Sequence, residues 1–273
     1  MNAIAIIAGR EIRDGLRNRW VLGAVVLLAG LALTLSFLGS APTGTVGVEP
    51  IEVTIVSLSS LTIFLVPLIA LLLSHDAIVG ERERGTLLLL LSYPLSRWQI
   101  LLGKFLGHVA ILAFATTLGY GSALALAGGD IDRDGVVSFA GMIGSAVLLG
   151  AVFVALGYVV SAVVRERATA AGLAIGVWLT LVLLYDMALL GLLVADQGRT
   201  ISATTLNWLL LLDPADVFRF INLAGMSKAS VFAGMSGLAE QLQFGRGVLI
   251  AALAAWVVVP LAFATLIFAR KQP

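Results

Sequence analysis

Asp186 is the one carboxylate that falls well inside a long apolar run, past its middle. A central Asp costs about 2.5–3.5 kcal/mol on membrane-insertion scales, so it must face a partner, a polar cavity or a cation. It is read either as a cation or substrate contact, or as a protonated or hydrogen-bonded group held by Tyr185 or a neighbouring helix. The second reading carries more weight. Met142, Met187, Met226 and Met235 offer soft thioether donors for Cu(I), but no pair has close ligand spacing and the chain has no Cys. Methionine more often fills gaps than binds metal, so no metal site is assigned. His75 and His108 are isolated. Asp130, Asp132 and Asp134 have the alternation of a calcium loop without its closing Glu, and read as an acidic turn. Gly103-Lys104 lacks the Gly five residues earlier, where Trp98 stands, and Phe105 follows, so it is no phosphate loop. With no Ser/His/Asp arrangement and no His/Glu motif at helical spacing, no catalytic residue is expected.

The composition says what kind of scaffold holds these residues. Of 273 residues, 60% are hydrophobic and 12% charged, with a mean hydropathy of +1.05. Soluble domains run at roughly 45–50% apolar and about 25% charged. The bilayer is therefore the expected solvent. A net charge of +1 lacks the basic excess that a nucleic-acid footprint requires. Polar sequence is too scarce for a large soluble catalytic domain. The expectation is one all-α polytopic membrane domain over residues 1–273.

A span needs about 20 mostly apolar residues. Six segments qualify, at about Trp20–Leu38, Val53–Leu73, Phe105–Ala127, Phe139–Val164, Ala170–Val194 and Val248–Phe268. Continuous apolar runs of this length suit helices rather than barrel strands. Twelve of the Lys and Arg residues fall on the side holding both termini and five on the other, which places both termini in the cytoplasm. Gly39-Ser40-Ala41 is similar to a signal cleavage site, but the apolar run is longer than a signal core, and Glu11 and Asp14 precede it. The first span is read as retained.

Between the spans, residues 4–19 place Ile4, Ile7, Ile12 and Leu16 on one helical face and Arg10, Arg13, Asp14 and Arg17 on the other, as in an interfacial helix. After the second span come Asp76, then Glu81-Arg82-Glu83-Arg84, Gly85-Thr86 and five leucines, Leu87 to Leu91, too few to span. Pro94 stops a helix, and Ser96 is a suitable N-cap for the next. The expected result is a short charged helix, a buried turn and a helix entering the membrane at Lys104, an arrangement suited to docking a cytoplasmic partner. Residues 195–247 are too short for an independent domain. Leu206–Leu212, carrying Trp208, and an amphipathic Asp216–Asn222 are read as external helices, with Asp213-Pro214 between them starting the second. They are read as a platform for an external partner or as a cap serving only packing.

These residues carry a family resemblance. Glu81-x-x-x-Gly85-Thr86-Leu87, Tyr93-Pro94-x-Ser96-Arg97 and Gly103-Lys104 together resemble the permease subunits of type-2 ABC exporters. Arg10-Glu11-Ile12-x-x-x-Leu16-x-x-Arg19-Trp20 resembles that family's N-terminal elbow helix, and the likeness covers the whole chain. Asp76-Ala-Ile-Val-Gly80-Glu81 and Asp213-Pro-Ala-Asp216-Val-Phe218-Arg219 narrow it to permeases that serve copper-site assembly of nitrous oxide reductase.

The resemblance implies a type-2 exporter fold with an elbow over 1–19, a coupling segment over 75–98 and a periplasmic segment over 195–247. It implies a non-catalytic homodimer in the lipid of a bacterial inner membrane, a separate cytoplasmic ABC ATPase that holds Mg-ATP, and a periplasmic β-helix subunit. No cofactor is expected on this chain. ATPase coupling falls to Asp76, Glu81, Arg82, Glu83, Arg84, Gly85, Thr86, Pro94 and Arg97. Periplasmic contact falls to Trp208, Asp213, Asp216, Phe218 and Arg219. The complex either exports a substrate or works mechanically on the periplasmic subunit; the alternative is export of a lipid-like, sulfur or other small substrate unrelated to nitrous oxide reductase. A secondary transporter would need intramembrane charge pairs and paired broken helices, and these are not seen in the sequence. Gly103-x-x-x-Gly107 and Gly172-x-x-x-Gly176 both permit close helix approach, and the second is favoured as the dimer seam.

Overall fold

Apolar periodicity and helix-stop residues divide the chain into twelve described helices. The computed structural model describes residues 3–17, 19–39, 50–126, 133–196, 202–223 and 244–270. Met226 and Met235, Asp130 and Asp132, and most of the Gly-, Ser- and Met-rich stretch before the last span lie outside the described residues. In chain order the helices are α1 (Ala3–Leu16), α2 (Arg19–Gly39), α3 (Pro50–Ser74), α4 (Val79–Glu83), α5 (Thr86–Leu91) and α6 (Arg97–Leu126). There follow α7 (Arg133–Val163), α8 (Arg167–Leu179), α9 (Tyr185–Asp196), α10 (Ala203–Leu211), α11 (Pro214–Leu223) and α12 (Arg246–Arg270).

Five helical stretches are long and apolar enough to cross a bilayer, and the α1–α2 pair, bent by 70°, makes up to six. The all-α fold therefore stands as expected. The boundaries differ. The helix expected from Phe105 starts at Arg97, and the one expected from Phe139 starts at Arg133. Hydropathy marks the apolar slab, whereas backbone hydrogen bonding carries a helix on until a cap or turn stops it. At 1.5 Å per residue, helices of 30 and 31 residues reach about 45 Å, well past a hydrocarbon core of about 30 Å.

α7 is the axis of the bundle. Its buried residues run from Gly135 to Ala162 and include small ones on many turns: Ala146, Gly150, Ala151, Ala155, Gly157 and Ser161. Small side chains let α3, α6 and α12 pack closely around it, the main route to helix association in lipid. The passes leave α1, α4, α5, the α7–α8 junction and the end of α12 at one end, called basal here, with α10 and α11 at the distal end.

The span from Arg167 to Asp196 is interrupted by a π turn at Thr180–Leu184. A π turn inserts a residue into the helical phase, and here it directly precedes Tyr185 and Asp186.

The first Gly-x-x-x-Gly pair is spent inside the chain. A Cβ on Gly103 would lie 2.8 Å from Ile7 Cβ, and one on Gly107 would lie 2.5 Å from Glu11 Cβ and 3.2 Å from the Ala8 carbonyl oxygen. These two positions form the groove in which α1 lies on α6. Gly172 and Gly176 have open space at the same test position.

Gly107→Val should insert normally but lift α1 from its groove, at an overpacking cost of about 1–3 kcal/mol. Hydrogen exchange in detergent should then show residues 3–16 losing about 10–100-fold protection, since each tenfold is about 1.4 kcal/mol, while α7 is unchanged. Unchanged protection of residues 3–16 would contradict this packing.

Candidate functional site

Short helices gain little from their own hydrogen bonds, so the five-residue α4 must be held from outside. Its first amides are capped from another helix: the backbone N–H groups of Ile78 and Val79 donate to the buried Ser161 Oγ of α7, at 2.9 and 3.1 Å. Arg82 Nη1 donates to the Val164 carbonyl at the end of α7, at 3.3 Å. Arg167, opening α8, binds Asp76 through Nη2 at 2.6 Å and donates its backbone N–H to Glu83 Oε1 at 2.8 Å. Gly85 ends α4 at φ +71°, the left-handed conformation glycine adopts without strain, and turns the chain into α5.

The side of α4 facing the membrane ends in a buried charge cluster. Lys104, two turns into α6, has a side chain 7% exposed. Its Nζ donates to Glu11 Oε1 of α1 and lies 2.9 Å from Glu81 Oε1 of α4. Glu11 Oε2 lies 3.7 Å from His108 Nε2, and His108 Nδ1 shares a 2.8 Å hydrogen bond with the Tyr158 hydroxyl of α7. Removing one partner from such a buried set typically costs about 3–5 kcal/mol, because the other charge is left unpaired.

The sequence expectation put the four charges Glu81 to Arg84 at a partner's surface. The structure turns Glu81 inward onto Lys104, lays Arg82 on a carbonyl and engages Glu83 with α8. Arg84, Gly85, Thr86 and Pro94 are exposed. So are Leu88 (60%), Leu89 (67%), Tyr93 and Trp98, an apolar surface at the basal end. Arg97 is taken up internally: its Nη1 donates to the Phe268 and Ala269 carbonyls at 2.7 and 3.1 Å, closing the end of α12. Ser96 occupies the N-cap position of α6, and Gln99 reaches back to its backbone N–H at 3.1 Å. Glu11, Lys104, Ser161 and Arg167 carried no site assignment in sequence. The available signals were a Glu on the interfacial helix and a Lys seven residues inside a helix opened by Ser96.

At the distal end a second cluster gathers. Arg219 of α11 donates to Asp216 Oδ1 at 2.6 Å and to Asp186 Oδ2 at 2.9 Å. Asp186 is therefore paired with a neighbouring helix. Carboxylate oxygens of Asp186, Asp213 and Asp216 lie within 4.8 Å of one another, spacing that could hold a metal, and the Arg219 guanidinium supplies the positive charge there. Asp213 caps α11, accepting from the Ala215 and Asp216 amides at 3.3 Å each. Tyr185 Oη and Trp256 Nε1 donate to the Leu209 and Leu211 carbonyls at 2.6 and 3.2 Å, closing the end of α10. Of the five residues expected to meet an external partner, Trp208 is 61% exposed, whereas Asp213, Asp216 and Phe218 are buried and Arg219 is half-buried. The amphipathic face of α11 turns its Asp and Phe residues onto the bundle, because α11 packs on α7, α3 and α12.

Burial, with Asp216 nearby, pushes the Asp213 carboxyl up to about 8 despite its two amide donors. Burial also raises Asp216, to about 7, against the pull of Arg219, whose charge is shared with Asp186.

With this architecture, the sequence matches the ABC-2 family transporter protein family over residues 5–272, and the chain belongs to that family. It is an integral inner-membrane permease subunit of an ABC transporter, and membership implies an ATPase partner and a dimeric arrangement. It is 48% identical over 275 residues to the probable ABC transporter permease protein NosY of Pseudomonas aeruginosa, covering 99% of each chain. It is also 48% identical over 278 residues to the protein of the same name in Stutzerimonas stutzeri, again over 99% of each.

An unfolded Asp titrates near about 3.9, so the folded chain holds the Asp213 proton more tightly than the unfolded chain. Its stabilising contribution is full below that value and is lost as pH rises through about 8. Asp216 acts in the same direction. Thermal unfolding in detergent should show Tm falling between pH 6 and pH 9. Asp213→Asn, which keeps an acceptor oxygen but no charge, should flatten that fall. A wild-type Tm that rises over this range would contradict the assignment.

Proposed function

We propose that this permease couples ATP hydrolysis by a separate cytoplasmic ATPase, which holds Mg-ATP, to mechanical action on a periplasmic subunit. The action serves copper-site assembly of nitrous oxide reductase. The observation that carries the reading is the basal surface of Leu88, Leu89, Tyr93 and Trp98. It combines exposed apolar side chains with a six-residue helix too short to span, mounted on α4, which is fastened to α6, α7 and α8. Together with the excess of Lys and Arg at this end, it supports reading the basal end as cytoplasmic, with both termini there.

The link to nitrous oxide reductase rests on the resemblance around Asp76–Glu81 and Asp213–Arg219 and on the name of the relatives. The distal helices, with Trp208 exposed, form the platform for a β-helix partner. A second copy of the chain covers α8, the π turn and α9, whose exposed residues include Leu173, Ile175, Leu184 and Leu190 beside the open Gly172 and Gly176. Ordinary lipid surrounds the rest.

The test is Leu88→Asp with Leu89→Asp in the native host. Expected is an inserted permease of unchanged level that recovers at least tenfold less ATPase on mild-detergent purification, with nitrous oxide reductase purified short of copper. Undiminished ATPase recovery sinks the docking surface. Lost ATPase with fully loaded reductase sinks the copper role and leaves export of another substrate.

A further inference from the structure

The basal charge cluster draws its members from three elements that are otherwise separate. Glu11 comes from α1, Glu81 from α4 and Lys104 from α6, and one ammonium serves two carboxylates. Glu81 Oε2 is buried with no hydrogen-bond partner among the described residues, so the hold on Glu81 here is its other oxygen, on Lys104. α1 is seated close enough for Glu11 to arrive only because Gly103 and Gly107 present no side chain to it. Without the ammonium, two buried carboxylates from two short helices would confront each other.

We propose that Lys104 is a positioning residue: its ammonium clamps the coupling helix α4 to the elbow helix α1, so that displacement of the docking surface moves α1 and the base of α6 together. This rests on the reading of α5 and Tyr93 as the ATPase-docking surface. The ties from α4 to Ser161, Val164 and Arg167 reach α7 and α8. Lys104 pairs with both Glu81 and Glu11, and so joins α4 to α1. Its chemistry is specific: a neutral amide can donate to both carboxylates but brings no charge to offset theirs, whereas a guanidinium brings both donors and charge.

The experiment uses the full permease co-purified with its ATPase, with hydrogen exchange followed on addition of ATP and a non-hydrolysable analogue. In the wild type, protection should change together over residues 75–92 and 3–16. In Lys104→Gln the response over 75–92 should persist while that over 3–16 shrinks at least tenfold. Lys104→Arg should restore it. Because Lys104→Gln strands two buried carboxylates and can fail to fold, a second variant carries Lys104→Met, Glu11→Met and Glu81→Met together. It removes every charge of the cluster, a replacement that buried ion groups often tolerate, and should fold with the two responses uncoupled.

If no ATPase accompanies the wild type, or residues 75–92 do not respond, the docking reading fails. If residues 75–92 respond while 3–16 stay silent in the wild type, the clamp is overturned. It is also overturned if 3–16 still respond in the triple variant, or if Lys104→Arg fails to restore the response.

Discussion

The ammonium of Lys104 sits two turns into α6 with its side chain only 7% exposed, and the helices around it at the basal end keep it paired. Pairing demands carboxylates within about 4 Å, and none is near in sequence. Glu11 lies 93 positions away. To bring it in, α1 must fold back along α6 rather than continue into α2, which is the 70° bend between them. To let α1 approach, α6 must carry glycine at 103 and 107. To bring Glu81 in from the other side, α4 must lie under the bundle, which is possible because Ser161 takes its exposed amides. The elbow, the glycine groove and the cross-helix cap are three consequences of one desolvation constraint.

The distal end solves the converse problem. There a carboxylate, Asp186, is the stranded group, and Arg219 is brought to it from α11. The π turn before Tyr185 sets the phase that aims Tyr185 and Asp186 at α10 and α11. Asp213 and Asp216 crowd the same guanidinium, and burial raises both carboxyls towards neutral pH. Both ends thus join a spanning helix to a short helix lying outside the slab, through one cation between carboxylates. The basal cation belongs to the spanning helix and the distal cation to the short one.

What could be read in the sequence follows from the range of the forces involved. The spans, the interfacial helix, the helix start after Pro94 and the start at Asp213-Pro214 are set by local rules: apolar length, a fixed φ, a capping side chain. Their positions were legible to within a turn or two. The inward turn of Glu81, the capture of Arg97 by the end of α12 and the meeting of Asp186 with Arg219 are tertiary events. Composition treats Glu81 to Arg84 as one charge run, whereas the helix sends successive members to different faces about 100° apart. Phe218 and Asp216 likewise look available in an amphipathic segment until the bundle shows which side it covers. Lys104 was placed at the mouth of a span because hydropathy has no means of recording that its charge is already neutralised by α1 and α4.

The pairing of polar groups also bears on how such a chain can do work. Within the bundle Thr62 bonds Tyr120 at 2.7 Å, His108 bonds Tyr158, and Ser145 and Asn222 bond each other at about 3 Å. These groups satisfy one another between helices rather than facing a common passage, and the packing around α7 is tight enough that several glycines touch the next helix. A protomer built this way resists deformation, since each buried bond is lost if the helices slide. At the distal end Arg219 and Tyr185 tie α11 and α10 to α9, and Asn222 ties α11 to α7. The large exposed side chains of α8 and α9 are mainly leucine, isoleucine and valine, which offer little polar lining. The polar groups of the bundle thus serve the joints between helices, which is what the proposed mechanical action requires.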